Sequence, residues 1–311
     1  MTTVESCEPL EIVQSTLGLT DYLDAVEHRL DSLLAGETDA VGRAASRALH
    51  AGGKRLRPLL VFLSSPPDRH PPVGAGVAVE LVHLASLVHD DLLDGATVRR
   101  GAPSTWSAFG ERVATASGDC LFALAFSELA RENEPGSLVS LAEAALALTE
   151  GEALQHEQRF NPSLSVESQL ERCASKTGAL FSVACRLGAG DTASSLGEYG
   201  LALGIAFQIV DDVLDCVAEM SETGKAPGAD LSGGVPTVPL LLAAETDGAV
   251  RAALAGSPCE DALERVAASR ALERSREIAR EYARRACGYL DERCRVRELE
   301  ALARAIVERK R

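Results

Sequence analysis

The acidic signature Asp-Asp-x-x-Asp occurs twice, as Asp90-Asp91-Leu92-Leu93-Asp94 and as Asp211-Asp212-Val213-Leu214-Asp215. Each copy closes a long apolar stretch, Val77 to His89 before the first and Leu201 to Val210 before the second. Six carboxylates in apolar surroundings repel one another and lose hydration, so positive charge has to compensate them. The chain must therefore fold so that the two acidic segments face each other as walls of one site. On a helix, residues four apart share a face, so Asp90 with Asp94, and Asp211 with Asp215, each form a two-carboxylate claw. A single acidic cluster at a helix end is ordinarily a cap or a solvated face. Two copies with the same spacing, each followed by basic and glycine-rich segments, point to metal. Clustered oxygen ligands suit Mg²⁺, which keeps several waters and shares its shell with substrate phosphates.

The rest of the chain reads as helix. Only 4% of its residues are aromatic while 46% are hydrophobic, and alanine, leucine, glutamate and arginine dominate, a composition that favours helix nearly throughout. Thr20-Asp21 starts a helix that Gly36 stops, and a second runs over 39–51 to Gly52-Gly53. Pro58 opens a third, Ser65 to Pro72 forms a loop, and a central helix covers 76–93. Helical patterns continue over 105–132, 137–160, 165–188, 192–220, 235–255 and 259–308, with a glycine- and proline-rich loop at 224–239. No linker divides the chain, so residues 1–311 are expected to form one all-α domain.

A net charge of −15 argues against general nucleic-acid binding, which needs a basic field. The eight cysteines show no Cys-x-x-Cys pair and no zinc-ligand spacing, and they read as reduced, mostly buried residues of a cytoplasmic protein. No secretory signal and no uncharged apolar run of membrane-spanning length is apparent in the sequence. An acidic protein that handles an anion must concentrate its positive charge locally. Gly52-Gly53-Lys54-Arg55-Leu56-Arg57-Pro58 places three cations next to a helix start, and Arg99-Arg100-Gly101 follows the first acidic motif. Lys176-Thr177 and Gly224-Lys225 supply more. Glycines let backbone approach an anion and arginine grips phosphate through paired N–H donors, so claw followed by cation fits joint binding of diphosphate by Mg²⁺ and basic side chains.

These segments, with His83 to Asp94, Gly118-Asp119, Gly151-Glu152-Ala153-Leu154-Gln155, Phe207-Gln208 and Asp230-Leu231, resemble the trans-type isoprenyl diphosphate synthases, or polyprenyl synthetases, over nearly the whole length. The resemblance implies a bundle of long, mostly antiparallel helices around a central cavity, the isoprenoid synthase type I fold, assembled as a homodimer. It implies head-to-tail condensation of isopentenyl diphosphate with an allylic diphosphate, assisted by three Mg²⁺ ions with substrate bound. Lys54, Arg57, His83 and Arg100 match the pocket for isopentenyl diphosphate. Arg99, Lys176, Thr177, Gln208 and Lys225 match partners of the allylic diphosphate, its leaving group or the carbocation. Asp90, Asp94, Asp211 and Asp215 match the metal ligands, with Asp91 and Asp212 in support and His89 behind the first motif. From the residues alone His83 is equally a buried core histidine.

One position departs from the family pattern. A lysine two residues before the threonine is common there, but this chain reads Gly233-Gly234-Val235-Pro236-Thr237, so one leaving-group cation is missing and Lys225 is expected to carry more. The tail Glu308-Arg309-Lys310-Arg311 is expected to be a frayed, solvated end rather than a cover for the site. A class I terpene cyclase and a non-catalytic partner of another synthase are the competing readings. The first lacks a pocket like Lys54, Arg57 and Arg100, and the second ordinarily loses one acidic motif. Product length turns on Ala85, five residues before Asp90, where a bulky aromatic acts as a floor in short-chain relatives. Leu81 is the next stop one turn deeper. A methyl group at that place implies a geranylgeranyl-class or longer product.

Overall fold

The computed structural model describes residues 9–36, 38–132, 135–190, 194–217, 228–291 and 294–309. Helices α1 (Pro9–Gln14), α2 (Leu19–Leu34), α3 (Ala40–His50), α4 (Leu56–Ser64) and α5 (Val73–Leu93) lead to the first acidic motif. The Asp39 carboxylate accepts the Gly42 amide at 2.7 Å and starts α3, as a side-chain cap should. A hairpin of β1 (Val98–Arg99) and β2 (Ala102–Pro103) follows, then α6 (Thr105–Phe109), α7 (Glu111–Ala130), α8 (Pro135–Glu157) and α9 (Val166–Cys173). A π turn, Ala174–Gly178, runs into α10 (Ala179–Ala189), and α11 (Ser194–Val217) carries the second motif. The chain continues through α12 (Ala229–Ser232), α13 (Val238–Ala244), α14 (Gly248–Leu254), α15 (Ala262–Ala268), α16 (Ala271–Cys287) and α17 (Val296–Glu308).

Central helix α5 packs most closely against α7, α10 lies between α4 and α11, and α11 rests on α16. Leu81, Leu84 and Ala85 of α5 are buried; full burial of a leucine contributes about 2 kcal/mol. Both α5 and α7 are long and apolar enough to cross a membrane by length and composition, although Glu80 and Asp119 interrupt their uncharged runs. Their apolar sides face each other and the core, and 67% of the α5 window is buried, which is how a core helix apolar on all sides behaves. A larger cluster around α5 and a smaller one around α13 make up the core, and Tyr282 and Val307 pack against both.

Several helices read as continuous are broken. Gly110, at φ 83°, separates α6 from α7. The stretch 165–188 is interrupted by the π turn, and 259–308 divides into three helices. Two strands pair where no sheet was expected, Val98 with Pro103 and Arg99 with Ala102. Arg100 (φ 51°) and Gly101 (φ 76°) form their turn, the left-handed pair that a two-residue hairpin demands. Where α11 crosses the π turn there is no room for a side chain: a Cβ on Gly204 would lie 2.7 Å from the Gly178 Cα. That approach sets α11 beside Lys176 and Thr177.

Candidate active site

The surroundings of the two acidic helix ends are joined by three links. Between the motifs, the π turn holds Thr177, whose hydroxyl donates to the Gln208 Oε1 at 2.7 Å; the Gln208 amide in turn donates to Asp212 at 2.8 Å. Its neighbour Lys176 lies 2.5 Å from the Glu152 carboxylate and donates to the Gln155 Oε1 at 3.1 Å. Burial opposes the Lys176 charge, but Asp90, Glu152 and Asp94 outweigh it and lift its pKa above the ordinary value. Arg159, after α8, is the second link: its Nε donates to the Gly233 carbonyl at 2.7 Å, and Nη1 stands 3.8 Å from Asp94. Arg57 is the third, acting electrostatically on both Glu80 and Asp211. π-Helical insertions gather at functional positions, and this one delivers two side chains to two different motifs.

Within the motifs the six aspartates have different surroundings. Asp91 is buried and binds Arg99 through Nε at 2.9 Å and Nη2 at 2.5 Å, fixing the hairpin arginine. Asp212 is buried with one oxygen unpartnered. Asp215 accepts the Asp230 amide at 3.1 Å and so anchors the end of the loop that follows the motif. His89 faces α7, with Nε2 3.3 Å from the Thr115 carbonyl and 3.5 Å from Asp119. Gly118 is bare because a Cβ there would lie 2.2 Å from that ring.

Burial pushes the Asp90 carboxyl up to about 7, with Glu152 and Asp94 adding to the rise and Lys176 and Arg99 opposing it. Asp212 is pushed up to about 7 by burial as well, against its Gln208 hydrogen bond. Asp211 is raised by burial against Arg309, Lys54 and Arg57. Carboxylates held this way favour a proton or a cation. Among the described residues no three His, Cys, Asp or Glu side chains already converge as a metal site. The donors are hard carboxylate oxygens, which fit a divalent cation that completes its shell from water and phosphate.

The Asp212 shift has a testable consequence. Its folded pKa of about 7 lies above the ordinary 3.8, so the folded chain holds this proton more tightly than the unfolded one. The ionised form therefore costs stability as pH rises between those two values. In the metal-free protein the melting temperature of Asp212→Asn, relative to the unsubstituted chain, is expected to climb across that window and level off above it. A flat or falling difference would contradict a buried, proton-holding Asp212.

A second group of charges lies beside α4 and α5. Half-buried His83 has its pKa held well below the ordinary value by burial and by Arg57, Arg100, Arg99 and Arg55, so it is neutral at pH 7. Burial pushes Arg57 down to about 10 despite Glu80 and Asp211, and its guanidinium stands 5.4 Å from the centre of the Phe181 ring. Arg100 is exposed, with Nη1 3.1 Å from where a Gly53 Cβ would sit. Lys54 is exposed and within electrostatic reach of Asp211. By contrast Arg55 is committed to structure: it donates to Glu27, to Glu80 at 2.8 Å and to the Leu49 carbonyl at 3.3 Å. Three guanidinium groups around a neutral imidazole make an anion pocket. Lys225 lies outside the described residues.

Of the carboxyl-terminal tail, Arg309 is held rather than solvated, while Lys310 and Arg311 lie outside the described residues. Arg309 hydrogen-bonds the Asp211 carboxylate and stacks its guanidinium 4.6 Å from the centre of the Phe207 ring. Helix α17 is anchored by buried Leu299, Leu302 and Ile306, and its path delivers Arg309 to the second motif. Sequence reasoning also gave no role to Glu152 and Gln155, although their spacing puts both on one face of α8, or to Arg159. Only tertiary packing shows what they touch.

A sequence model of the polyprenyl synthetase family matches residues 38–269. Over 275 residues the chain is 36% identical to heptaprenyl diphosphate synthase component 2 of Geobacillus stearothermophilus, covering 85% of this chain and 86% of that one. It is 35% identical over 280 residues to nonaprenyl diphosphate synthase of Mycobacterium tuberculosis, covering 84% and 83% of the two chains. Its fold is similar to the crystal structure of polyprenyl synthase from Caulobacter crescentus CB15 complexed with calcium and isoprenyl diphosphate. That match has a TM-score of 0.89 at 31% identity and covers 99% of both chains.

Proposed function

The chain belongs to the polyprenyl synthetase family, and on that premise we propose that it is a trans-prenyltransferase joining isopentenyl diphosphate to an allylic diphosphate, head to tail. Diphosphate is released and a long polyprenyl diphosphate is built. What supports this reading is that cations gather around both acidic motifs, Lys176 and Arg159 near the first and Arg309, Lys54 and Arg57 near the second, with His83 and Arg100 close by. Relatives named for heptaprenyl and nonaprenyl products support the chain length. A terpene cyclase has no use for a second anion pocket, and a non-catalytic subunit has none for two intact claws.

Asp90, Asp94, Asp211 and Asp215 would hold Mg²⁺, which when bound would supply charge stabilisation to a departing diphosphate. Lys176 and Arg99 face the developing negative charge, and each is preorganised by a carboxylate at its back, Glu152 and Asp91. Preorganised charge of this sort costs no rearrangement during bond cleavage. Lys54, Arg57 and Arg100 hold isopentenyl diphosphate, with His83 as a neutral donor among them. As the allylic C–O bond breaks, the isopentenyl double bond attacks the allylic carbon. The proton then lost from the isopentenyl unit passes to the released diphosphate, no side-chain base being placed for it. Thr177 and Gln208 are bound into a chain with Asp212, and their role is to hold the second motif while their dipoles face the cation.

We read residues 1–311 as one domain in the cytoplasm, since Tyr282 and Val307 join both core clusters. We read the assembly as a homodimer through α8, where Val139, Leu146 and Leu154 form an exposed apolar stripe at helical spacing. Product length is set on α5. Ala85 and Leu81 are fully buried on the helix that leads away from Asp90, so a larger side chain at 85 would intrude on whatever lies along that wall.

The test is incubation of the purified chain with Mg²⁺, isopentenyl diphosphate and a series of allylic primers, followed by chromatography of the dephosphorylated products. Linear prenyl alcohols beyond geranylgeraniol are expected. Cyclic hydrocarbons, or no product with any primer, would overturn the reading. In the same assay Ala85→Phe is expected to shorten the product while leaving the first condensation intact. Unchanged length in a well-folded variant would remove Ala85 from the account.

A further inference from the structure

The leaving-group side of the site lacks a cation at Val235, which is buried and bonds only through its backbone, donating to the Asp230 carbonyl at 2.8 Å. The loop that carries Val235 is stitched to the segment after α8 by a run of hydrogen bonds. Arg172 donates to the Gln158 side chain at 3.1 Å and to the Pro236 carbonyl at 2.9 Å. Arg159 donates to the Gly233 carbonyl at 2.7 Å, and the Phe160 amide donates to the Gly234 carbonyl at 2.7 Å. Phe160 adopts a left-handed backbone (φ 59°), and its ring lies 2.4 Å from where a Gly234 Cβ would be. Such strain in a non-glycine residue persists where the surrounding structure over-determines it.

This frame fixes one guanidinium at the mouth of the first claw. The Arg159 Nε is used by Gly233, and Nη1 reaches to 3.8 Å from Asp94, too far for a hydrogen bond. Gly233 leaves the space that Nη2 occupies, 3.1 Å from where a Cβ would be. Neither terminal amine hydrogen-bonds any described residue, and the side chain is 23% exposed. Among the described residues, Arg99 is committed to Asp91, Lys176 to Glu152 and Gln155, and Arg172 to Gln158 and Pro236. An ion pair at this distance and exposure contributes little stability, so the frame, two direct bonds between the loops and two more through Arg172 of α9, is not explained by the Asp94 contact.

The geometry points to Arg159 as a diphosphate-binding residue for the allylic substrate, supplying from the α8 side the positive charge that Val235 does not. This rests on the prenyltransferase reading. Its free fork of two terminal amines suits paired oxygens of a diphosphate that a divalent cation at Asp94 would hold. Asp94 attracts the guanidinium while the carboxylate is unpaired, and the anion takes that place once substrate arrives.

The test compares Arg159→Gln and Arg159→Lys with the unsubstituted chain, using calorimetric binding of inorganic diphosphate in the presence of Mg²⁺. Gln is expected to weaken binding by about ten- to a hundredfold, the range for a lost hydrogen bond between charged groups. Lys keeps the charge but neither the paired fork nor the Nε bond to Gly233, and is expected to lose clearly less affinity than Gln while falling short of the unsubstituted chain. In turnover, Gln is expected to lower kcat/KM for the allylic primer while the KM for isopentenyl diphosphate stays unchanged. Binding unaffected by Gln overturns the proposal, and so does equal loss in Gln and Lys, which would make Arg159 a staple between loops. An equal rise of both KM values does the same. Absence of turnover by the unsubstituted chain would instead sink the prenyltransferase reading, leaving the binding comparison to decide Arg159.

Discussion

Asp90→Ala and Asp211→Ala are each expected to lower turnover by about a hundredfold or more at saturating Mg²⁺, the size of losing a principal electrostatic contact in a transition state. The two losses have different local causes. Asp90 is a half-buried carboxylate whose proton affinity is raised to about 7, with Lys176 as its strongest cationic neighbour. Removing it leaves Lys176 with Glu152, Gln155 and the more distant Asp94, and strips one arm from the first claw. Asp211 is bonded to Arg309 in the absence of substrate, so its replacement frees an arginine as well as removing a ligand. Each variant keeps one complete claw. If one claw sufficed, single substitutions would cost little and only the double variant would fail. Near-normal turnover in either single variant, measured with a fixed primer, would therefore refute the two-claw account. Asp91→Asn is the contrasting control: Asp91 serves by holding Arg99 through two nitrogens, so its loss should act on the allylic substrate more than on the Mg²⁺ requirement.

How much of this was legible in the sequence depends on how local each feature is. The acidic motifs, the helix beginning at 39 and the stop at Gly36 were visible because each is set by a few adjacent residues; Gly36 takes φ 87°, as a helix stop should. The hairpin at 98–103 was read as a turn, since two residues per strand give no alternating pattern to detect. The π turn was invisible: an inserted residue leaves the apolar periodicity of 165–188 nearly intact, and only contact with Gly204 and Gln208 shows it. Arg309 was expected to fray because a tail read alone has no partners, whereas its position depends on where α17 packs. Roles for Glu152 and Arg159 were hidden for the same reason. Each acts on a residue far away in the sequence, and no spacing rule connects them.

Lys176→Met should produce the other large effect, a fall in turnover of about a hundredfold with a smaller change in the KM for isopentenyl diphosphate. Methionine keeps the apolar stem and the volume, so the π turn and its Thr177 bond to Gln208 are preserved. Only the ammonium is lost, and with it the group that Glu152 holds at 2.5 Å beside the first claw. A structural role for Lys176 would show as a lowered melting temperature with turnover reduced in proportion to the folded fraction. A charge role leaves a further signature. Lys176 is the strongest influence lowering the Asp90 proton affinity, while Glu152 raises it. Removing the cation therefore raises the Asp90 pKa, and the acid limb of the activity profile should move to higher pH. Glu152→Gln should move that limb the opposite way, because it removes a negative neighbour and leaves the lysine in place. Paired shifts of opposite sign are difficult to obtain from unfolding or loss of packing. If both variants shifted the limb in the same direction, the electrostatic link between the π turn and the first acidic motif would have to be abandoned.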